Sequence, residues 1–249
     1  MKLTVGLFGF GRTGAIVAKE LILEEGFDLK WVFRRTSQHA GEYASHLLGF
    51  EHDEGKIFSA ENADFEHFYE ENKVDVIIDF SSVSSVAEYK NAAKTGTKIV
   101  SAVSNYGVDE LEQLKELSRV TAVLYSPNIT LGVNFLIEAS KRLQEIAPGA
   151  DIEIVEEHFK GKKDVSGTAL RIAEDLKLDK EINVSSVRAG GIVGTHEVIF
   201  GLLNETIRIK HESLNRAAFG QGAIYAAKWI VEKENNYYGM KDAMASLFN

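Results

Sequence analysis

Residues 2–14, KLTVGLFGFGRTG, run from an apolar strand-like segment through a glycine turn into a helical pattern. A strand, a tight turn and a helix in that order point to the crossovers of a parallel α/β sheet. The motif sets a rhythm that continues through the first half. Strands are expected at 2–8, 29–33, 74–80, 97–103 and 121–125, with helices at 12–25, 84–94 and 107–118. Segment 36–62 is polar, with scattered His and Gly, and reads as a loop holding a short helix at most. From about residue 128 the character changes. A helix near 130–146 precedes longer strands at 150–159, 183–190, 194–201 and 204–211, and a helix at 216–233 leads to a short tail. The expectation is an α/β fold with a second, strand-rich α+β domain.

GFGRTG places Gly9, Gly11 and Gly14 in G-x-G-x-x-G spacing, with Phe10, Arg12 and Thr13 between them. In that pattern the first glycine permits the turn, the second admits a pyrophosphate, and the third lets helix and strand pack closely. Its place after the first strand points to a Rossmann-type dinucleotide site rather than a plain turn. The second strand ends WVFRRTS, so Arg34 and Arg35 occupy the place where a NAD-preferring site carries a carboxylate. Two guanidiniums suit a 2′-phosphate, which makes NADPH the expected cofactor and NADH the alternative. In IIDFSS the strand ends at Asp79, with Ser81 beyond it. Asp79 is read either as a crevice residue or as a cap on the next helix.

The run IEIVEEHFKGKKDVSGTALRIAEDL, residues 152–176, gathers His158, Lys160, Lys162 and Lys163 beside a helix start at Ser166-Gly167-Thr168. Helix N-termini already attract anions, so added cations suggest a small, multiply negative ligand. The whole chain has a net charge of −9 and a pI near 5.4, which argues against nucleic acid as a partner. It has no cysteine, excluding a thiolate nucleophile and Cys-ligated zinc. Of the other histidines, His196 and His211 lie in expected strands and are read as either structural or cleft-lining, while those at 39, 46, 52 and 67 show no ligand spacing, so no metal site is expected. No segment approaches the roughly 20 apolar residues that span a bilayer, and a cytoplasmic location is expected.

Several motifs are less generic. SPNITLGVN (126–134), EEHFKGKKDVSGTAL (156–170), RAGGIVGTHEVIF (188–200) and IKHESLNRAAFGQGAIYAAKWI (209–230) come in this order, with YYGMKDAMASL near the end. Together they resemble the dihydrodipicolinate reductase family over essentially the whole chain. The resemblance implies a Rossmann domain at 1–127 and 212–249, and a substrate-binding and tetramerisation domain at 128–211. It also implies hydride transfer from NAD(P)H to a cyclic unsaturated dicarboxylate, in lysine and diaminopimelate biosynthesis, by a homotetramer. His158 and Lys162 would inherit the acid–base and proton-donor roles. Position 159 and the Ser166, Gly167 and Thr168 turn would meet the substrate. Ser101, Ala102, Val103, Ser126, Asn128 and Ile129 would join the cofactor contacts.

The sequence departs from the family pattern at three places. Phe159 stands where a second histidine is usual, and Val165 stands alone where Ala-Pro is usual. SAVSN (101–105) replaces a Gly-Thr-Thr-Gly turn. These changes keep two other functions open: a reductase or dehydrogenase of a related imino or amino dicarboxylate, and a nucleotide-binding protein without catalysis.

Overall fold

The computed structural model describes residues 2–245. They form two compact units: one runs to Ile129 and resumes at Phe219, and the other is Thr130–Ala218. The first unit opens with β1 (Leu3–Phe8), α1 (Gly14–Leu23), β2 (Phe27–Arg34), α2 (Ala44–Leu47), β3 (Lys56–Ser59) and α3 (Phe68–Glu71). It continues with β4 (Val76–Asp79), α4 (Ser85–Glu88), α5 (Lys90–Lys94), β5 (Lys98–Ser101), α6 (Val108–Leu117) and β6 (Val123–Tyr125). The second unit holds α7 (Leu131–Ile146), β7 (Asp151–His158), α8 (Gly167–Asp175), β8 (Val184–Arg188), β9 (Thr195–Gly201) and β10 (Thr206–Glu212). The chain then returns with α9 (Ala217–Ile230), β11 (Tyr237–Tyr238) and α10 (Met240–Met244). The last two residues of the YYGMKDAMASL motif lie outside the described residues.

Unit 1 is a seven-stranded sheet in the order β11-β6-β5-β4-β1-β2-β3, every pair parallel. Central strands of such sheets are covered on both faces, which is why β4 reads as a continuous buried run. Beside β1 the core is aromatic. Phe33 lies 5.0 Å from Phe8, 5.3 Å from Trp31 and 4.8 Å from Phe68, measured between ring centroids. Each fully buried ring of this kind contributes about 1.5–3 kcal/mol. Gly6 makes room for Trp31, since a Cβ there would overlap the indole at 2.1 Å. The register of β1 against β2 shifts at the same point.

Three features depart from expectation. The 36–62 segment contains a strand, β3, whose four residues KIFS are too short to show a period. The helix expected over 84–94 is broken at Tyr89, whose side chain is fully buried and whose hydroxyl meets Tyr106 at 3.3 Å. The tail supplies β11, which lengthens the sheet beside β6.

Unit 2 is a four-stranded sheet in the order β10-β9-β7-β8. β7 and β8 are parallel and joined through α8, so this segment is a crossover rather than a plain meander. Val133, Leu136 and Ile137 of α7 and Ala169 and Ile172 of α8 share one core with Ile154, Val198 and Phe200 of the sheet. That packing fixes α8 so that its first turn follows the end of β7.

Candidate active site

In unit 1 the strand order reverses at β1, which lies between β2 and β4. Ligands of open α/β sheets bind beyond the strand ends at such a switch point. A pocket of about 390 Å³ lies there, lined by Gly9, Phe10 and Gly11 after β1, Arg34 at the end of β2 with Arg35 and Thr36 beyond it, and Ser81 and Ser82 after β4. Gly9 has φ +98°, and a Cβ on it would come within 2.7 Å of the Phe80 carbonyl oxygen. A Cβ on Gly14 would reach 2.0 Å from the Gly9 carbonyl oxygen, so only hydrogen lets α1 start this close to the turn. Around Gly11, among the described residues, nothing beyond its two chain neighbours lies within 4 Å of the same construction, which leaves space for a pyrophosphate. The three glycines thus have three separate steric jobs, and the residues present fit a dinucleotide.

The other cofactor candidates divide. Arg12 is exposed and Thr13 half-buried; neither lines the pocket. Asp79 is fully buried. Its carboxylate accepts from the Ser81 N–H (2.9 Å) and hydroxyl (2.6 Å), the Ser85 hydroxyl (2.5 Å) and the Tyr106 hydroxyl (3.1 Å). Burial pushes the Asp79 carboxyl up, against the pull of these bonds. Asp79 therefore shapes the loop after β4 through hydroxyl and loop N–H donors; the N-cap of α4 is Ser84, with no side-chain cap bond, so Asp79 does not cap that helix. The Ser101 hydroxyl meets Tyr106 at 2.9 Å, and the Ala102 N–H donates to the Asp79 carbonyl at 2.9 Å. The Ser126 hydroxyl donates to the Asn128 carbonyl at 2.6 Å, while Val103 and Ile129 are buried. Sequence reasoning missed Tyr106 and Glu88. Tyr106 ties Asp79 to Ser101, and Glu88 lines the pocket near Arg35, but neither carries a motif signal.

In unit 2 the polar cluster is built around Glu156, which is fully buried on β7. It accepts from His158 Nδ1 (2.5 Å), Ser186 Oγ (2.6 Å), the Ser166 N–H (3.2 Å) and, through a two-pronged contact, Arg188 Nη1 (2.9 Å) and Nη2 (2.5 Å). Burial alone would raise this carboxyl, but the bonds from Arg188, Ser186, His158 and Ser166 bring it down to about 2. His196 on β9 packs edge-on to His158 at 5.4 Å, and its Nε2 lies 2.8 Å from the Ser166 hydroxyl. Burial holds His196 neutral down to about 4, assisted by the charges of His158 and His211.

The Ser166 N–H and hydroxyl are thus engaged inside the protein. Gly167 is exposed at the first turn of α8, where among the described residues nothing outside its own helix and chain neighbours stands within 4 Å of a Cβ, and Thr168 is half-buried beside it. First-turn N–H groups have no partner within their helix, so this end can hold an anion. Lys162 is half-buried in the loop before it, and among the described residues no carboxylate forms an ion pair with its ammonium. Phe159 is 47% exposed and lies over Gly161, with no polar group to offer. Arg188, which joins the cluster, was not among the sequence-based site candidates; His196, read from the sequence as either structural or cleft-lining, packs against His158 within it.

A parallel sheet with this glycine turn at its switch point defines a Rossmann-type dinucleotide-binding protein. Residues 3–129 match the family model described as dihydrodipicolinate reductase, N-terminus, and residues 132–244 match that described as its C-terminus. The 4-hydroxy-tetrahydrodipicolinate reductase of Rickettsia bellii is 36% identical over 193 residues, covering 70% of this chain and 77% of that protein. The enzyme of the same name from Sulfurimonas denitrificans is 33% identical over 265 residues, covering 96% and 98%. Among solved structures, dipicolinate-bound dihydrodipicolinate reductase from Paenisporosarcina sp. TG-14 superposes with a TM-score of 0.80 at 21% identity, over 97% of this chain and 99% of that one. The chain belongs to the dihydrodipicolinate reductase family.

Proposed function

We propose that this chain reduces 4-hydroxy-tetrahydrodipicolinate, the dihydrodipicolinate of lysine and diaminopimelate biosynthesis, and that it prefers NADPH to NADH. The observation that carries this reading is the match of both halves of the chain to the two family models, with His158, Lys162 and the start of α8 in order within the second. Unit 1 is the nucleotide-binding domain in this reading, and Arg34 and Arg35 take the 2′-phosphate. Bound NADPH supplies the hydride. Unit 2 binds the substrate: the N–H groups of Gly167 and Thr168 take one carboxylate, while Ser166 positions that turn from behind. Lys162 and His158 offset the negative charge that builds as hydride arrives and deliver the proton to the adjacent carbon. The assembly is a cytoplasmic homotetramer in this proposal.

A related imino or amino dicarboxylate is the second reading. It is favoured by Phe159, which places an exposed aromatic ring where the family pattern has a histidine. The deciding experiment is oxidation of NADPH, and separately NADH, with freshly generated dihydrodipicolinate. Turnover with a lower KM for NADPH is expected. Protein that binds NADPH but leaves dihydrodipicolinate unreduced would move the assignment to the second reading, or to a nucleotide-binding protein without catalysis.

A further inference from the structure

The reductase reading, on which this inference rests, gives His158 and Lys162 their tasks but does not say what aims them. Glu156 and His158 lie two residues apart on β7, so their side chains share one face of the strand. Glu156 takes His158 Nδ1 at 2.5 Å, and the Arg188 guanidinium grips both oxygens of the same carboxylate. Arg188 also reaches across the loop: its Nε donates to the Lys162 carbonyl and its Nη2 to the Asp164 carbonyl, each at 3.0 Å. One guanidinium therefore fixes the acid's partner and the backbone that carries Lys162. With Nδ1 held, Nε2 is the nitrogen of His158 left for proton transfer. Gly194, just before β9, keeps that nitrogen uncovered, since a Cβ there would stand 3.0 Å from Nε2. The charged and titratable groups around His158 are Glu156 on its own strand, Arg188 on β8 behind it, His196 on β9 and Lys162 in the loop.

We infer that Glu156 and Arg188 are positioning residues for the reduction, Glu156 fixing the Nδ1–H tautomer of His158 so that Nε2 is its reacting face, and Arg188 locking Glu156 and the 162–164 backbone into one unit that Gly194 leaves open. Glu156 stays ionised throughout. In its imidazolium form His158 gives the Nε2 proton to the ring carbon beside the one that receives hydride, which leaves the neutral Nδ1–H tautomer, and solvent restores the proton to Nε2. This arrangement follows the general logic of a carboxylate that orients an imidazole without taking its proton.

The test uses the full chain and the variants Glu156→Gln, Arg188→Lys and Gly194→Ala. Two quantities are measured: kcat and KM for dihydrodipicolinate and NADPH, and the imidazole ¹⁵N spectrum of unliganded protein, with His158→Gln assigning the resonance. Neutral His158 in the native protein is expected as the Nδ1–H tautomer, and as a mixture of tautomers in Glu156→Gln. Glu156→Gln and Arg188→Lys are expected to lower kcat roughly 100-fold, with the KM for NADPH within about twofold. Gly194→Ala is expected to lower kcat while leaving the tautomer unchanged. An Nε2–H tautomer in the native protein would overturn the inference, as would native kcat in Glu156→Gln. If Glu156→Gln does not fold, the native spectrum and Gly194→Ala still decide. Native protein that leaves dihydrodipicolinate unreduced would sink the substrate reading instead, and the tautomer would remain the measure of the positioning claim.

Discussion

Arg34 ends β2 with its guanidinium 3.1 Å from the Gln38 side-chain oxygen, and Arg35 lines the same pocket. Gln38 is a neutral partner, so the Arg34 charge is not cancelled by that contact and can take a phosphate. Replacing both arginines by alanine is expected to weaken NADPH roughly 10- to 100-fold, the equivalent of one or two charge-assisted hydrogen bonds. NADH affinity should stay within about twofold. Fluorescence titration of both nucleotides checks this, and equal losses would remove the 2′-phosphate role. Lys162 differs because it belongs to unit 2. Lys162→Ala should lower kcat roughly 100- to 10,000-fold, the range for a lost general acid, and leave nucleotide affinity intact. Parallel losses in kcat and NADPH affinity would contradict a substrate-side role.

The β1–turn–α1 element lends itself to a sharper comparison, because its glycines fail for different reasons. A methyl at Gly14 collides with the Gly9 carbonyl at 2.0 Å, so Gly14→Ala must displace the turn and should cost about 1–3 kcal/mol of stability as well as nucleotide binding. Among the described residues, a methyl at Gly11 meets no atom within 4 Å apart from those of its own chain neighbours. Gly11→Ala should therefore melt like the native protein yet bind NADPH more weakly, because the methyl occupies the space the pyrophosphate needs. Thermal melts with and without NADPH separate the two, and a Gly11→Ala protein with native affinity would mean the phosphates lie elsewhere. This element was legible in the sequence because all its determinants lie within six residues. The two arginines were legible for the same reason, Arg34 closing a strand and Arg35 following it directly. Glu156 and Arg188 were not, since they are 32 positions apart and meet only because β7 and β8 are parallel neighbours. β3 was hidden by its length, and the break at Tyr89 by a tertiary contact with Tyr106 that no local propensity encodes. Asp79 was seen, but its role turned on three hydroxyl donors, of which Tyr106 is 27 positions distant.

On the scale of the whole molecule, the two units bury ionisable groups of opposite acid response. In unit 2, His196 is held neutral to about 4 against an ordinary 6.5, so the unfolded chain takes up that proton first. Its contribution to stability is full above pH 6.5 and is lost as pH falls towards 4, by roughly 3 kcal/mol. His211 is lowered by burial too and adds in the same direction. Glu156, near 2 instead of 4.5, adds a second loss as pH falls from 4.5 towards 2. In unit 1, burial raises the Asp79 carboxyl, so its charged form is a burden that acid relieves. Its contribution is present in acid and is lost as pH rises through its raised value. Acid should therefore loosen unit 2 before unit 1. Hydrogen exchange at pH 7.5 and 4.5 is expected to show protection falling in β7, β9 and α8 while β1, β4 and β5 keep theirs. His196→Gln should flatten the loss between pH 6.5 and 4, because the substitute has no proton to gain. Uniform loss of protection across both sheets would mean that the two units unfold as one, and that the buried histidines do not set the order.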